Sequence, residues 1–143
     1  MKSIPKLNLN EFPYVTKDKL RYGDTDKQGH VNNAVFTTFY ETGRVEIVYE
    51  PKHQILDKNC SFVIAHIEMN FIAEIHWPGN IEIGTGITKI GNSSVTFLQS
   101  LYQNGKLVST SESILVQVNN DTKKSFPLSI DAKNRLKEYL MNI

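Results

Sequence analysis

The sequence predicts an α+β domain in which an antiparallel sheet of about five strands wraps round one long central helix, with a short helix at the C-terminus. Three observations predict it. Apolar residues recur at three- and four-residue steps through Phe36, Phe39, Tyr40, Gly43 and Ile47, which is the period of one helical face. From Val63 onward apolar and polar residues alternate, which is the period of a strand. Asn104-Gly105 lies between two such runs and is a strong two-residue hairpin signal. Antiparallel strands linked in this way must curl to bury the single apolar helix.

Taken in order, the first strand is expected near Val15 to Tyr22. The period changes after Gly29, where the long helix follows. Gly43 costs a helix interior up to about 1 kcal/mol relative to Ala, so its place on the apolar face predicts close approach of the helix to the sheet. Pro51 ends the helix. Val63, Ala65, Ile67, Met69, Phe71, Ala73 and Ile75 alternate with His66, Glu68, Asn70 and Glu74, predicting a half-buried strand. His76-Trp77-Pro78-Gly79-Asn80 forms a turn whose two ends can belong to the flanking strands. Ile81, Ile83, Thr85 and Ile87 resume the alternation, and Gly91-Asn92 breaks it. Val95, Phe97 and Leu101 mark the next strand, and Val108, Ile114, Val116 and Val118 the last. Pro127-Leu128-Ser129-Ile130-Asp131 opens the short helix, with Ser129 as its cap and Leu136, Tyr139 and Leu140 packing on the body.

A chain of 143 residues has room for one domain and one core, so a single domain over 1–143 is expected. Sixteen Lys and Arg against 15 Asp and Glu leave a formal charge of +1, which offers no field for a nucleic-acid backbone. The lone Cys60 closes no intramolecular disulfide, and no Cys/His group has zinc spacing, so no metal is expected and a reducing, cytoplasmic compartment is. The opening Met1-Lys2-Ser3-Ile4-Pro5-Lys6-Leu7-Asn8 lacks the apolar core of a signal peptide, and no stretch approaches the roughly 20 apolar residues that span a bilayer. Export and membrane insertion are disfavoured.

The run Arg21-Tyr22-Gly23-Asp24-Thr25-Asp26-Lys27-Gln28-Gly29-His30-Val31-Asn32-Asn33-Ala34 delivers a carboxylate loop into the start of the long helix. A helix start carries unpaired N–H groups and about half a positive charge, so a carbonyl placed there is polarised. A carboxylate a few ångströms away can attack that carbonyl or deprotonate a water against it. This run, continued through Phe36, Phe39, Tyr40, Glu41 and Arg44, resembles the signature of the hotdog-fold acyl-CoA thioesterases of the 4-hydroxybenzoyl-CoA thioesterase type. The resemblance covers most of the chain. It implies a hotdog fold, sheets of two subunits joined side by side, active sites at the subunit interface, and hence a homodimer or homotetramer. Pairing would also remove an exposed edge strand.

The resemblance aligns Asp26 with the carboxylate that acts on the thioester; turn shaping is the competing role for an Asp in such a loop. Asp24 is assigned a structural role, pairing with Arg21 or Arg44. Gly29 admits close approach of substrate, or is an ordinary turn glycine. His30 is given a binding or structural role, for want of an orienting partner. Asn33 is suited to cap the helix, and its amide can equally face the carbonyl or the attacking water. The backbone N–H groups of Asn33, Ala34 and Val35 are the expected electrophilic stabilisers. Phe36 and Tyr40 are candidates to line an acyl tunnel, although aromatic residues at helical spacing also make plain core. Glu41 and Arg44 are spaced for an ion pair. In some hotdog thioesterases a helix glutamate is the catalytic carboxylate, which makes Glu41 the reserve. Lys123 and Lys124 can meet coenzyme A phosphates or belong to a solvated loop.

The expected activity is hydrolysis of an acyl-CoA thioester to a carboxylic acid and free coenzyme A, with Asp26 as nucleophile or general base and Asn33 assisting. Gly29, His30, Ala34, Val35, Phe36 and Tyr40 are the expected substrate-binding residues. Neither metal nor redox cofactor is required. The rival reading is a non-catalytic acyl-CoA or acyl-carrier binding module of the same fold. A hotdog hydratase is less favoured, because the Asp-x-Asn-Pro-x-His arrangement typical of those enzymes is missing. No nucleophile elbow, P-loop or dinucleotide fingerprint occurs.

Overall fold

The computed structural model describes residues 3–52 and 54–143; Met1 and Lys2 of the opening stretch lie outside the described residues. Five antiparallel strands form one sheet: β1 (Tyr14–Lys19), β2 (Cys60–Phe71), β3 (Asn80–Ile90), β4 (Ser94–Gln103) and β5 (Lys106–Asn119), in the spatial order β1-β3-β4-β5-β2. Helix α1 (Asn33–Val48) packs over β3 and β4, and α2 (Ile130–Leu136) lies near the C-terminus. This is the α+β hotdog arrangement that the sequence predicts. Among the described residues no helix is long and apolar enough to cross a membrane.

The face of α1 read from the sequence is the buried one: Phe36, Phe39, Tyr40, Gly43 and Ile47 all face inward, joined by Arg44 and Val48. A Cβ at Gly43 would collide with Thr85 Oγ1 and come within 2.7 Å of Gln99 Nε2, so the bare glycine is what lets helix and sheet meet. Through that gap Gln99 Nε2 donates to the Tyr40 carbonyl (2.9 Å) and to Thr85 Oγ1 (3.0 Å), and Gln99 Oε1 accepts from Arg44 Nη1 (3.2 Å). The expected Glu41–Arg44 ion pair does not form among the described residues. Arg44 instead turns inward and is 4% exposed, and burial pulls its pKa below the usual guanidinium value.

Asn104 and Gly105 have φ of 51° and 78° and close the β4–β5 hairpin, as a two-residue turn of this type requires. Ser129 caps α2 by accepting from the Ala132 N–H (3.0 Å), and Leu136 is buried; Leu140, expected to pack, stays 45% exposed.

Two expectations about the strands need correction. The first strand stops at Lys19, because residues 22–24 wind into a 3-10 turn in which Asp24 Oδ2 accepts from the Arg21 N–H (3.0 Å). The run from Val63 does not make a half-buried strand reaching Ile75. β2 ends at Phe71 and lies at the sheet edge beyond β5, with Val63, Ile64, Ile67 and Phe71 between 36% and 49% exposed. A bulge between Ile64 and His66 also shifts the alternation: Ile64 and Ile67 stand opposite Leu115 and Ser113, whereas Val63 shares a face with His66. In β5 Val108 to Ser111 are all buried, and beyond them Ser113, Leu115 and Gln117 stay buried while Ile114, Val116 and Val118 are half-buried.

Candidate active site

The loop before α1 is fastened by its backbone. The Asp26 N–H donates to the His30 carbonyl (2.8 Å), the Gly29 N–H to the Asp26 carbonyl (3.2 Å), and the Asn32 N–H to the Asp24 carbonyl (2.8 Å). Gly29 sits at φ 79°, a left-handed conformation that glycine adopts without steric cost. On the far side the Val31 N–H reaches the Ile75 carbonyl (2.8 Å) and the Trp77 N–H the Gly29 carbonyl (3.3 Å), tying the loop to the segment between β2 and β3. Asp26 adds its own side chain: Oδ1 accepts from the N–H groups of Gln28 (2.8 Å) and His30 (3.1 Å). Its second oxygen, Oδ2, has no protein donor and no ion-pair partner among the described residues.

A groove of about 510 Å³ opens beside this loop. Asp26, Gln28 and His30 line it from the loop, Asn32, Asn33 and Phe36 from the start of α1, and Phe71, Ile72 and Glu74 from the end of β2 and the segment after it. Phe36 and Phe71 meet edge to face across it, with ring centroids 5.0 Å apart.

The helix cap is Asn32, one residue earlier than expected. Its Oδ1 accepts from the Ala34 N–H (3.0 Å) and its carbonyl from the Val35 N–H (2.9 Å). Those two donors are therefore spoken for, and of the three expected stabilisers the Asn33 N–H alone has no acceptor among the described residues. Asn33, freed from capping, lines the groove. Asn32→Ala should cost about 1 kcal/mol in urea unfolding, and Asn33→Ala less than about 0.5 kcal/mol. The opposite ranking would put the cap back at position 33.

Of the other expected binding residues, His30 and Phe36 line the groove, whereas Gly29 shapes the loop, and Ala34 and Val35 stand behind the helix start. Tyr40 is corrected to core: it is fully buried and its hydroxyl donates to Ser109 Oγ (2.7 Å), since the aromatic face of α1 is also the face that must cover the sheet. Glu41 borders a separate hollow of about 280 Å³ with Arg44, Phe62 and Ile64, away from Asp26. Lys123 and Lys124 lie in the exposed turn after β5, at the end of that strand remote from Ser109 and its neighbour Phe71. Sequence reading missed Gln28, Phe71, Ile72 and Glu74. Glu74 also supplies the neighbour that His30 lacked in the sequence, with His30 Nε2 3.3 Å from Glu74 Oε2.

Comparison with known proteins agrees with the fold. A predicted thioesterase from Bacillus stearothermophilus superposes with a TM-score of 0.83 at 28% identity, covering 91% of this chain and 98% of that one. A thioesterase from Thermus thermophilus, solved with coenzyme A and zinc, superposes with a TM-score of 0.75 at 24% identity over 88% of this chain and 98% of that one. The acyl-CoA thioester hydrolase YbgC of Escherichia coli is 27% identical over 86 residues, which span 58% of this chain and 64% of that relative. Residues 20–136 match the sequence profile of the thioesterase-like superfamily, a stretch that includes the Asp26 loop, α1 and all of β2 to β5, and the chain belongs to that superfamily.

Proposed function

We propose that this protein hydrolyses acyl-CoA thioesters, with Asp26 as the reacting carboxylate. The observation that carries the reading is the division of labour on Asp26: Oδ1 is held by two backbone N–H groups, and Oδ2 is free on a groove that also holds the open N–H of Asn33. A carboxylate fixed through one oxygen keeps the other aimed without losing its charge. The thioester carbonyl lies against the start of α1, where the Asn33 N–H and the helix dipole stabilise the oxyanion. Asp26 Oδ2 then either attacks the carbonyl carbon, expelling the coenzyme A thiolate and leaving an acyl–aspartyl anhydride that water hydrolyses to the acid and free Asp26, or takes a proton from a water that attacks the carbonyl and expels the thiolate directly. A thiolate needs little proton assistance in departing, so one carboxylate with backbone donors suffices. Phe36, Phe71 and Ile72 give the acyl chain an apolar wall.

The apolar, exposed edge of β2 supports assembly of two copies through that strand, because an unpaired edge bearing Ile64, Ile67 and Phe71 is otherwise a template for aggregation. The direct test of the activity is thiol release from a panel of aliphatic and aromatic acyl-CoAs by the purified protein. Turnover of at least one class is expected. Binding of coenzyme A esters with no thiol release from any of them would favour a non-catalytic binding module instead.

A further inference from the structure

His30, Glu74 and His76 come from two distant segments and converge on one point. His30 Nε2 lies 3.3 Å and His76 Nε2 3.7 Å from the same oxygen, Glu74 Oε2, and all three donor atoms lie within 4.8 Å of one another. The two imidazole rings meet edge to face at 4.9 Å. We propose that these three side chains form a binding site for a divalent transition-metal ion of the zinc class at the mouth of the groove. The proposal goes beyond thioester hydrolysis and stands independently of it.

The distances carry it. A tetrahedral zinc with bonds of about 2.0–2.1 Å holds its donors about 3.3–3.4 Å apart. The His30–Glu74 separation already has that value, the His76–Glu74 one exceeds it by a few tenths of an ångström, and the two histidine donors, within 4.8 Å of each other, are drawn together when one ion binds both. The side chains of Glu74 and His76 are each 60% exposed, so a rotamer change can close the site at no cost beyond the His30–His76 ring contact. The backbone beneath is already fixed. His30 and His76 face each other in an isolated antiparallel bridge. The Gln103 side chain accepts the His76 N–H (3.0 Å) and donates to the His76 carbonyl (2.7 Å). Two neutral imidazoles and one carboxylate suit zinc and its neighbours rather than magnesium or calcium, which prefer all-oxygen shells. Three protein ligands leave a fourth position open to water.

Calorimetric titration of the full-length protein with zinc chloride tests this. One ion per chain should bind with micromolar or tighter affinity. His76→Ala and Glu74→Gln, both at exposed positions, should each weaken binding by more than the about 10–100-fold that removing a residue behind a ligand costs. A titration without saturable heat would overturn the proposal. So would unchanged affinity in both variants, because the ion would then be bound elsewhere on the chain.

Discussion

Asp26→Asn should lower thioester hydrolysis by about 10²–10⁴-fold while the protein folds and assembles as before. The substitution hardly changes the volume, and the amide oxygen of Asn can still accept the N–H groups of Gln28 and His30 that hold the loop. What disappears is the negative charge on the free oxygen, which both the nucleophilic and the general-base route need. Unfolding in urea should therefore be unchanged within about 0.5 kcal/mol, and thiol release should collapse. Undiminished turnover in a folded variant would remove Asp26 from the mechanism. The nucleophilic route passes through an anhydride between Asp26 and the acyl group, so in single turnover in ¹⁸O-labelled water its hydrolysis at the Asp26 carboxyl carbon leaves the first product unlabelled and puts the label into Asp26; that outcome establishes the covalent route, which general-base attack by water on the thioester cannot produce.

The second large effect is expected at Gln99, a fully buried residue that does not line the Asp26 groove. Its amide makes two hydrogen bonds to α1, donating to the Tyr40 carbonyl and accepting from Arg44 Nη1, and a third within the sheet to Thr85 Oγ1. Truncation to Ala would strand a buried guanidinium, at a cost of about 1–3 kcal/mol or more, and release two further partners at about 1 kcal/mol each. We expect Gln99→Ala to lose about 3–4 kcal/mol in chemical denaturation, a large share of the margin of a domain this size. Gln99→Glu should recover part of the loss by pairing with Arg44, yet not all, because a carboxylate cannot donate to the Tyr40 carbonyl and Thr85. A loss below about 1 kcal/mol for Ala would mean that Arg44 finds another acceptor, and the layer would not be cooperative.

Local chemistry was legible in the sequence and long-range position was not. The buried face of α1, the close approach at Gly43, the Asn104-Gly105 hairpin and the Ser129 cap depend on residues within a few positions of one another, and each is found where the pattern puts it. The run from Val63 misled because alternation cannot tell an edge strand from a central one, and because the bulge before His66 reverses which residues share a face. In β5 Ser109, Ser111 and Ser113 are buried as fully as Val108, while Ile114, Val116 and Val118 are only half-buried, a distribution that the run of apolar residues does not reveal. The Asp26 loop could be found from its neighbours in the chain. The other part of the lining, with Phe71, Ile72 and Glu74, could not, since it is brought there by the pairing of the loop with Ile75 and Trp77. Asn32 and Asn33 show the resolution of such reading: both are good caps by residue type, and a shift of one decides which is free to act.

The fastening of the Asp26 loop through main-chain bonds, in contrast to a groove built from side chains, has an evolutionary corollary. Peptide groups are indifferent to mutation at most positions, so the carboxylate proposed to react can keep its aim through substitutions of Phe36, Phe71 and Ile72. A lineage carrying this scaffold can change its diet of acyl groups by altering those walls without rebuilding the chemistry each time.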